Sequence, residues 1–109
     1  MTTNGGRMVE IDLGRYRVSV GGKQKKLTPK EFKVLAHLVR LEGVVVEREY
    51  ILSEVFGIDA KVETRTIDQH VARLRGKIGK DYIRTVTGVG YAFEGKATVI
   101  PKPELPSVA

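Results

Sequence analysis

Apolar residues alternate with polar ones early in the chain and then shift to a period of three to four. Met8-Val9-Glu10-Ile11-Asp12-Leu13, then Tyr16-Arg17-Val18-Ser19-Val20, then Lys25-Lys26-Leu27 read as short strands. Gly21-Gly22 lies between the last two and can take the positive φ values of a tight hairpin turn. A small antiparallel N-terminal sheet is predicted, preceded by a polar, glycine-rich and disordered start over residues 1–7. Thr28-Pro29-Lys30-Glu31 changes the pattern. Thr28 can cap a free backbone N–H, Pro29 needs none, and Glu31 can complete a capping box. Phe32, Leu35, Ala36 and Val39 then share one helical face, and Gly43 closes that helix. Val44-Val45-Val46 reads as an extended connector. Glu47 to Phe56 reads as a second helix with Tyr50, Ile51, Leu52 and Val55 turned inward.

The segment with the most chemistry follows a turn-like loop at residues 56–60. Val62 to Gly79 predicts a helix in which Ile67, Val71, Leu74 and Ile78 fall within roughly one 60° sector. The opposite sector holds Arg65, Gln69, Ala72 and Gly76, with Thr66, Arg73, Lys77 and Lys80 along one flank and Asp68 and Arg75 along the other. Next, Ile83-Arg84-Thr85-Val86 and Tyr91-Ala92-Phe93-Glu94 alternate around Thr87-Gly88-Val89-Gly90, which predicts a glycine-tipped hairpin. The last stretch carries three prolines between Pro101 and Pro106, so residues 96–109 read as an extended tail or linker outside the packed domain at 8–95.

Composition narrows the function. The chain has 109 residues, enough for one core but not two, and it contains no cysteine, which removes disulfide frameworks and cysteine-based metal sites. The two histidines, His37 and His70, lack metal-ligand or nucleophile–base spacing, so neither catalysis nor a metal or other cofactor is expected. No apolar run is long enough to span a membrane and no signal-like start is present, so the expected location is the cytoplasm. The net charge is +6, which favours an anionic partner without choosing one. Placement is more telling than total. Lys23, Lys25, Lys26, Lys30 and Lys33 read as ordinary solvated surface, whereas Lys61, Arg65, Arg73, Arg75, Lys77, Lys80 and Arg84 gather on the amphipathic helix and the hairpin.

That helix suits duplex DNA. An arginine can bond bidentately to guanine and a glutamine to adenine, so Gln69 and Arg73 are the candidate base readers. Ala72 and Gly76 are small enough to let the helix sink into a major groove. Arg65 and Thr66 stand in the first turn, where side chains and free N–H groups can hold phosphate. Gly88 and Gly90 leave little bulk at the hairpin tip, Thr87-Gly88-Val89-Gly90, so it can approach a phosphate or a minor groove. As a dinucleotide fingerprint the same glycines are weak, since the following helix and third glycine are missing.

From Val9 to Gly95 the chain resembles the winged-helix output domain of OmpR/PhoB-type two-component response regulators. The residues that carry the resemblance are LTPKEFKVLAHLV, VVVEREYILSEVFG, VETRTIDQHVARLRGKIG and IRTVTGVGYAF, in order and at family spacing. It implies an α+β fold: a winged helix-turn-helix with an N-terminal four-stranded antiparallel sheet, three helices and a C-terminal β-hairpin wing. It also implies a transcriptional regulator of double-stranded DNA that acts as two copies on tandem half-sites, with the third helix in the major groove and the wing by the minor groove. Carried onto this sequence, Arg65 and Thr66 contact phosphate and Gln69 and Arg73 reach bases. His70, Arg75 and Lys77 lie near the backbone, and Thr85 and Tyr91 fix phosphates beside the wing. The loop Gly57, Ile58, Asp59, Ala60 and Lys61 corresponds to the segment presented to RNA polymerase.

Three residues depart from the family's pattern. Thr87 and Ala72 stand where many members have Arg, and Phe56 replaces a frequent Trp. Together they point to a different site preference, and the loss of Arg at Thr87 and Ala72 gives weight to one rival, a winged helix used for protein–protein contact. No stretch resembles the phosphoacceptor receiver domain that usually precedes this module.

Overall fold

The computed structural model describes residues 7–59 and 61–104. Strand β1 (Met8–Asp12) buries Val9 and Ile11 and turns its alternate side chains outward. The turn to β2 (Arg17–Val20) is closed by the Asp12 carboxylate, which accepts the backbone N–H groups of Gly14 and Arg15, both at 3.1 Å. Gly21 and Gly22 (φ 58° and 81°) then lead into β3 (Lys23–Lys25), which stops two residues short of Leu27, the expected end of the strand. The pairings β1–β2 and β2–β3 are antiparallel, as the alternation predicts.

Helix α1 (Pro29–Arg40) opens on the full capping box. The Glu31 N–H bonds to Thr28 Oγ1 at 3.2 Å, and the Thr28 N–H bonds to Glu31 Oε1 at 3.0 Å. Val34, Leu35 and Leu38 are fully buried, beyond the single stripe expected, because this helix runs through the middle of the core and meets packing on two sides. The connector supplies β4 (Val46–Glu47), followed at once by α2 (Arg48–Phe56). Ile51 and Val55 are buried in α2, but Tyr50 stays about half exposed and lies edge-on to His37 instead of entering the core.

Helix α3 (Arg65–Ile78) buries the expected seam of Ile67, Val71, Leu74 and Ile78. A short 3₁₀ turn at Lys80–Tyr82 leads to the hairpin β5 (Ile83–Val86) and β6 (Gly90–Phe93). Val46 of β4 pairs with Tyr91, so the second sheet runs β4-β6-β5, all antiparallel.

The end of the chain departs from expectation. Lys96–Ile100 is not tail but a five-residue strand, β7, which pairs parallel with the whole of β1, from Met8 opposite Lys96 to Asp12 opposite Ile100. The first sheet is therefore four-stranded in the order β3-β2-β1-β7. Its fourth strand comes from the C-terminal end, not from the N-terminal segment. The physical reason is an open edge: β1 carries two fully buried side chains and would leave one ladder of N–H and C=O groups unpaired without β7. The N–H of Leu13 extends the ladder to the carbonyl of Ile100 at 2.9 Å, and Lys102 and Pro103 then fold over the turn at Gly14. Arg7, expected in the disordered start, is held as well, its carbonyl accepting the Tyr82 hydroxyl at 3.1 Å. Residues 1–6 and 105–109 lie outside the described residues.

Candidate nucleic-acid interface

One side of α3 is open to solvent next to the hairpin, and its charged groups divide into two sets. Gln69 and Arg73 are exposed, one helical turn apart on the same face, and neither side chain has a hydrogen-bond partner among the described residues. Ala72 and Gly76 are exposed beside them, and no neighbour crowds Gly76. Arg65 is also on this surface. Its ion pair with Glu63, at 3.2 Å, joins two side chains that are three-quarters exposed, so it is weak and easily exchanged for a phosphate. Thr66 is half-buried in the first turn. The helix start is tighter than expected: the N–H groups of Thr66 and Ile67 bond back to Glu63 and Thr64, leaving fewer free N–H groups for an anion.

The second set is bound within the protein. Lys77, expected near the DNA backbone, places its ammonium 2.6 Å from Oε1 of Glu31, the only buried charged residue among those described. Burial alone would raise the Glu31 carboxyl. The hydrogen bonds from Lys77 and the Thr28 N–H, with the nearby charges of Lys77 and Arg73, outweigh it and hold the group below its usual 4.5. His70 directs Nδ1 to the carbonyl of Thr66 at 2.8 Å and packs edge-on against Phe56. Nδ1 therefore carries a proton, and the ring helps to seat the helix. Lys30 also lies over the Phe56 ring, with its ammonium on the carbonyl of Val55 at 3.1 Å.

Arg75 spans the gap between α3 and the hairpin. Its guanidinium donates to the Ile83 carbonyl at 2.6 Å and to Thr85 Oγ1 at 2.7 Å, and it stands over the Tyr91 ring. Thr85 accepts there, so its own hydroxyl proton remains free for a phosphate. Tyr91 is different. It is buried, and its hydroxyl donates to Asp68 Oδ1 at 2.6 Å. Burial first, then that bond and the carboxylate's charge, push its phenol up to about 12. Its only proton is thus committed to Asp68, and it is not available to hold a phosphate as expected. Asp68 also receives a bidentate pair from Arg48, at 3.1 and 2.7 Å. Helical periodicity places Asp68 on a flank but does not mark this carboxylate as a junction, because its partners come from two other elements.

At the hairpin tip, Thr87, Gly88 and Val89 are exposed, and Gly88 (φ 79°) has open space around it. Gly90 is buried instead, beneath Val46 and Glu47, so it serves packing and not the tip. In the loop after α2, Ile58 is almost wholly exposed, Gly57 takes φ 103°, and Ala60 lies outside the described residues. Among the described residues, no helix is long and apolar enough to cross a membrane.

Three helices, a β-hairpin against the third of them and a sheet behind the first define a winged helix-turn-helix. The family described as "Transcriptional regulatory protein, C terminal" matches residues 22–93. The transcriptional regulatory protein BasR of Escherichia coli (strain K12) is 40% identical over 81 residues, covering 74% of this chain and 36% of BasR. The DNA-binding domain of CpxR from E. coli superposes with a TM-score of 0.70 at 33% identity, covering 80% of this chain and 90% of that domain. The Klebsiella pneumoniae RstA DNA-binding domain, solved in complex with the RstA box, does so with a TM-score of 0.69 at 28% identity, over 77% and 88%. The chain belongs to this family of response-regulator output domains, a class of transcriptional regulators and not of enzymes. It spans about two-fifths of the length of the curated relatives it matches.

Proposed function

We propose that this chain binds duplex DNA in a sequence-dependent way and regulates transcription, with α3 in the major groove and the wing beside the adjacent minor groove. The observation that carries the reading is the Gln69–Arg73 pair, exposed on one helical face and without hydrogen-bond partners among the described residues, while Lys77 and Arg75 are tied down. Gln69 and Arg73 read base edges. Arg65, Thr66 and Thr85 hold phosphate, and the backbone at Thr87, Gly88 and Val89 meets the minor groove. His70, Arg75, Lys77 and Tyr91 act from behind, seating the helix and the wing. Two copies sit on tandem half-sites, and the loop from Gly57 to Lys61, with Ile58 at its crest, faces RNA polymerase.

Selection of bound duplexes from a random library, followed by sequencing, tests the reading. Two direct repeats about one helical turn apart are expected. A single enriched half-site removes the tandem arrangement and keeps the DNA reading. No enrichment, with binding lost at moderate salt, leaves only general electrostatic attraction. The exposed apolar groups Ile58 and Val89 would then mark a winged helix that contacts protein.

A further inference from the structure

Asp68 is an acidic side chain on the helix that is to approach phosphate, next in sequence to a base-reading residue. On charge alone it opposes binding. Its placement suggests why it is there. The carboxylate is gripped from two sides, by the Arg48 guanidinium at the start of α2 and by the Tyr91 hydroxyl of β6. Stability is a poor explanation for the grip, since Arg48 and Asp68 are each about one-third exposed and ion pairs so open to water contribute little.

Helix α3 is held to the wing at two places. Near its C-terminal end Arg75 grips Ile83 and Thr85 of β5. Two turns earlier, about 10 Å along the axis, Asp68 grips Tyr91 of β6. One attachment leaves a helix free to swing against a hairpin. Two attachments on different strands fix the angle. The second also reaches α2 through Arg48, so α2, α3 and the wing share one carboxylate. The ring of Tyr91 lies under Arg75, which joins the two attachments to each other.

We infer that Asp68 is a positioning residue: clamped by Arg48 and Tyr91, it sets the angle between α3 and the wing, and so the register in which Gln69 and Arg73 meet bases while the tip meets the minor groove. This inference rests on the duplex-DNA reading above. It fixes a sign that charge does not. Removing a carboxylate near phosphates should tighten binding to every sequence. Removing a positioning residue should weaken the preferred site selectively, because only specific binding needs both contacts in register.

The test compares the wild-type chain with Asp68→Asn, Tyr91→Phe and the double variant, on the duplex selected by the wild type and on a scrambled duplex of equal length. Asp68→Asn is expected to cut the ratio of the two affinities about tenfold while scrambled DNA binds as well or better. Tyr91→Phe, which changes no charge, is expected to cut the ratio in the same direction. The double variant should fall no further than Asp68→Asn, as required of two groups that act through one bond. Tighter binding to both duplexes with an unchanged ratio would overturn the inference, and so would effects of the two changes that simply add.

A second readout needs no DNA. The chain has no cysteine, so spin labels at Ala72→Cys on α3 and Val89→Cys on the tip report one helix–wing distance. Asp68→Asn and Tyr91→Phe should broaden or shift that distance distribution. An unchanged distribution sinks the positioning role even if the wild type selects a site. A wild type that selects no duplex, but whose distribution broadens in both variants, sinks the DNA reading and keeps the clamp.

Discussion

Two glycines of the wing look alike in the sequence and do different work. A Cβ at Gly90 would overlap the carbonyl of Val46, backbone that cannot move aside while β4 is paired to β6. Gly88 has room for a side chain, and only its φ of 79° resists one. Gly90→Ala should therefore cost about 3 kcal/mol or more, and Gly88→Ala about 1–2 kcal/mol. Thermal unfolding of both variants checks the order, and equal losses would show that β4 yields. The arginines of α3 divide in the same manner. Arg73→Ala should relax sequence preference by about 1–3 kcal/mol at one position, whereas Arg65→Ala should weaken all duplexes alike and flatten the salt dependence. An unchanged preference in Arg73→Ala would assign the reading to another residue. Periodicity could place both arginines on the exposed side, but it could not tell either from Arg75, whose partners Ile83 and Thr85 lie on another element.

At the scale of elements, Glu31 joins two roles. Its carboxylate completes the cap of α1 and receives Lys77 from α3, so one buried group links the start of one helix to the end of another. The capping box was legible because both its members lie within four residues. The Lys77 pair was not, since it depends on how the helices cross. Because the folded-state carboxyl lies below its usual 4.5, its contribution is fully present above that value and is lost as pH falls through the lower, folded one. The stability gap between the wild type and Glu31→Gln should be widest near neutral pH and close as the medium becomes more acid. Urea unfolding across that range measures it, and a gap independent of pH would mean that the charge of Glu31 contributes nothing. Lys77→Ala should lower stability by about 1–2 kcal/mol, less than for a wholly buried pair because Lys77 is over one-third exposed.

Across the whole molecule, what the sequence disclosed was local. The alternation of β1 and β2, the seam of α3 and the glycine-bearing hairpin each lie within a short window, and each is found where the pattern put it. What it concealed joins distant segments: Asp68 with Tyr91, Glu31 with Lys77 and, largest of these, β7 with β1. The prolines after Ile100 made the last stretch look like tail, yet Lys96–Ile100 closes the sheet against the first strand, where Val9 and Ile11 are fully buried. Ending the chain after Gly95 should therefore reopen the edge of β1 and strip five residues of parallel ladder from a core strand. Net losses of about 0.5–1.5 kcal/mol per hydrogen bond, offset by the entropy returned to the freed segment, suggest a destabilisation of about 2–3 kcal/mol. A bare edge beside Met8, which is already partly exposed, should also promote association through strand pairing. Urea unfolding and the concentration dependence of sedimentation would register the two effects. Since none of the proposed base- or phosphate-contacting residues lies on β7, the truncated chain should keep its preference among duplexes at temperatures where it remains folded. A shortened chain as stable and as monomeric as the full one would mean that β7 lies on the sheet without supporting it. Retained stability with lost preference would mean instead that the C-terminal strand steers α3 from the far side of the core.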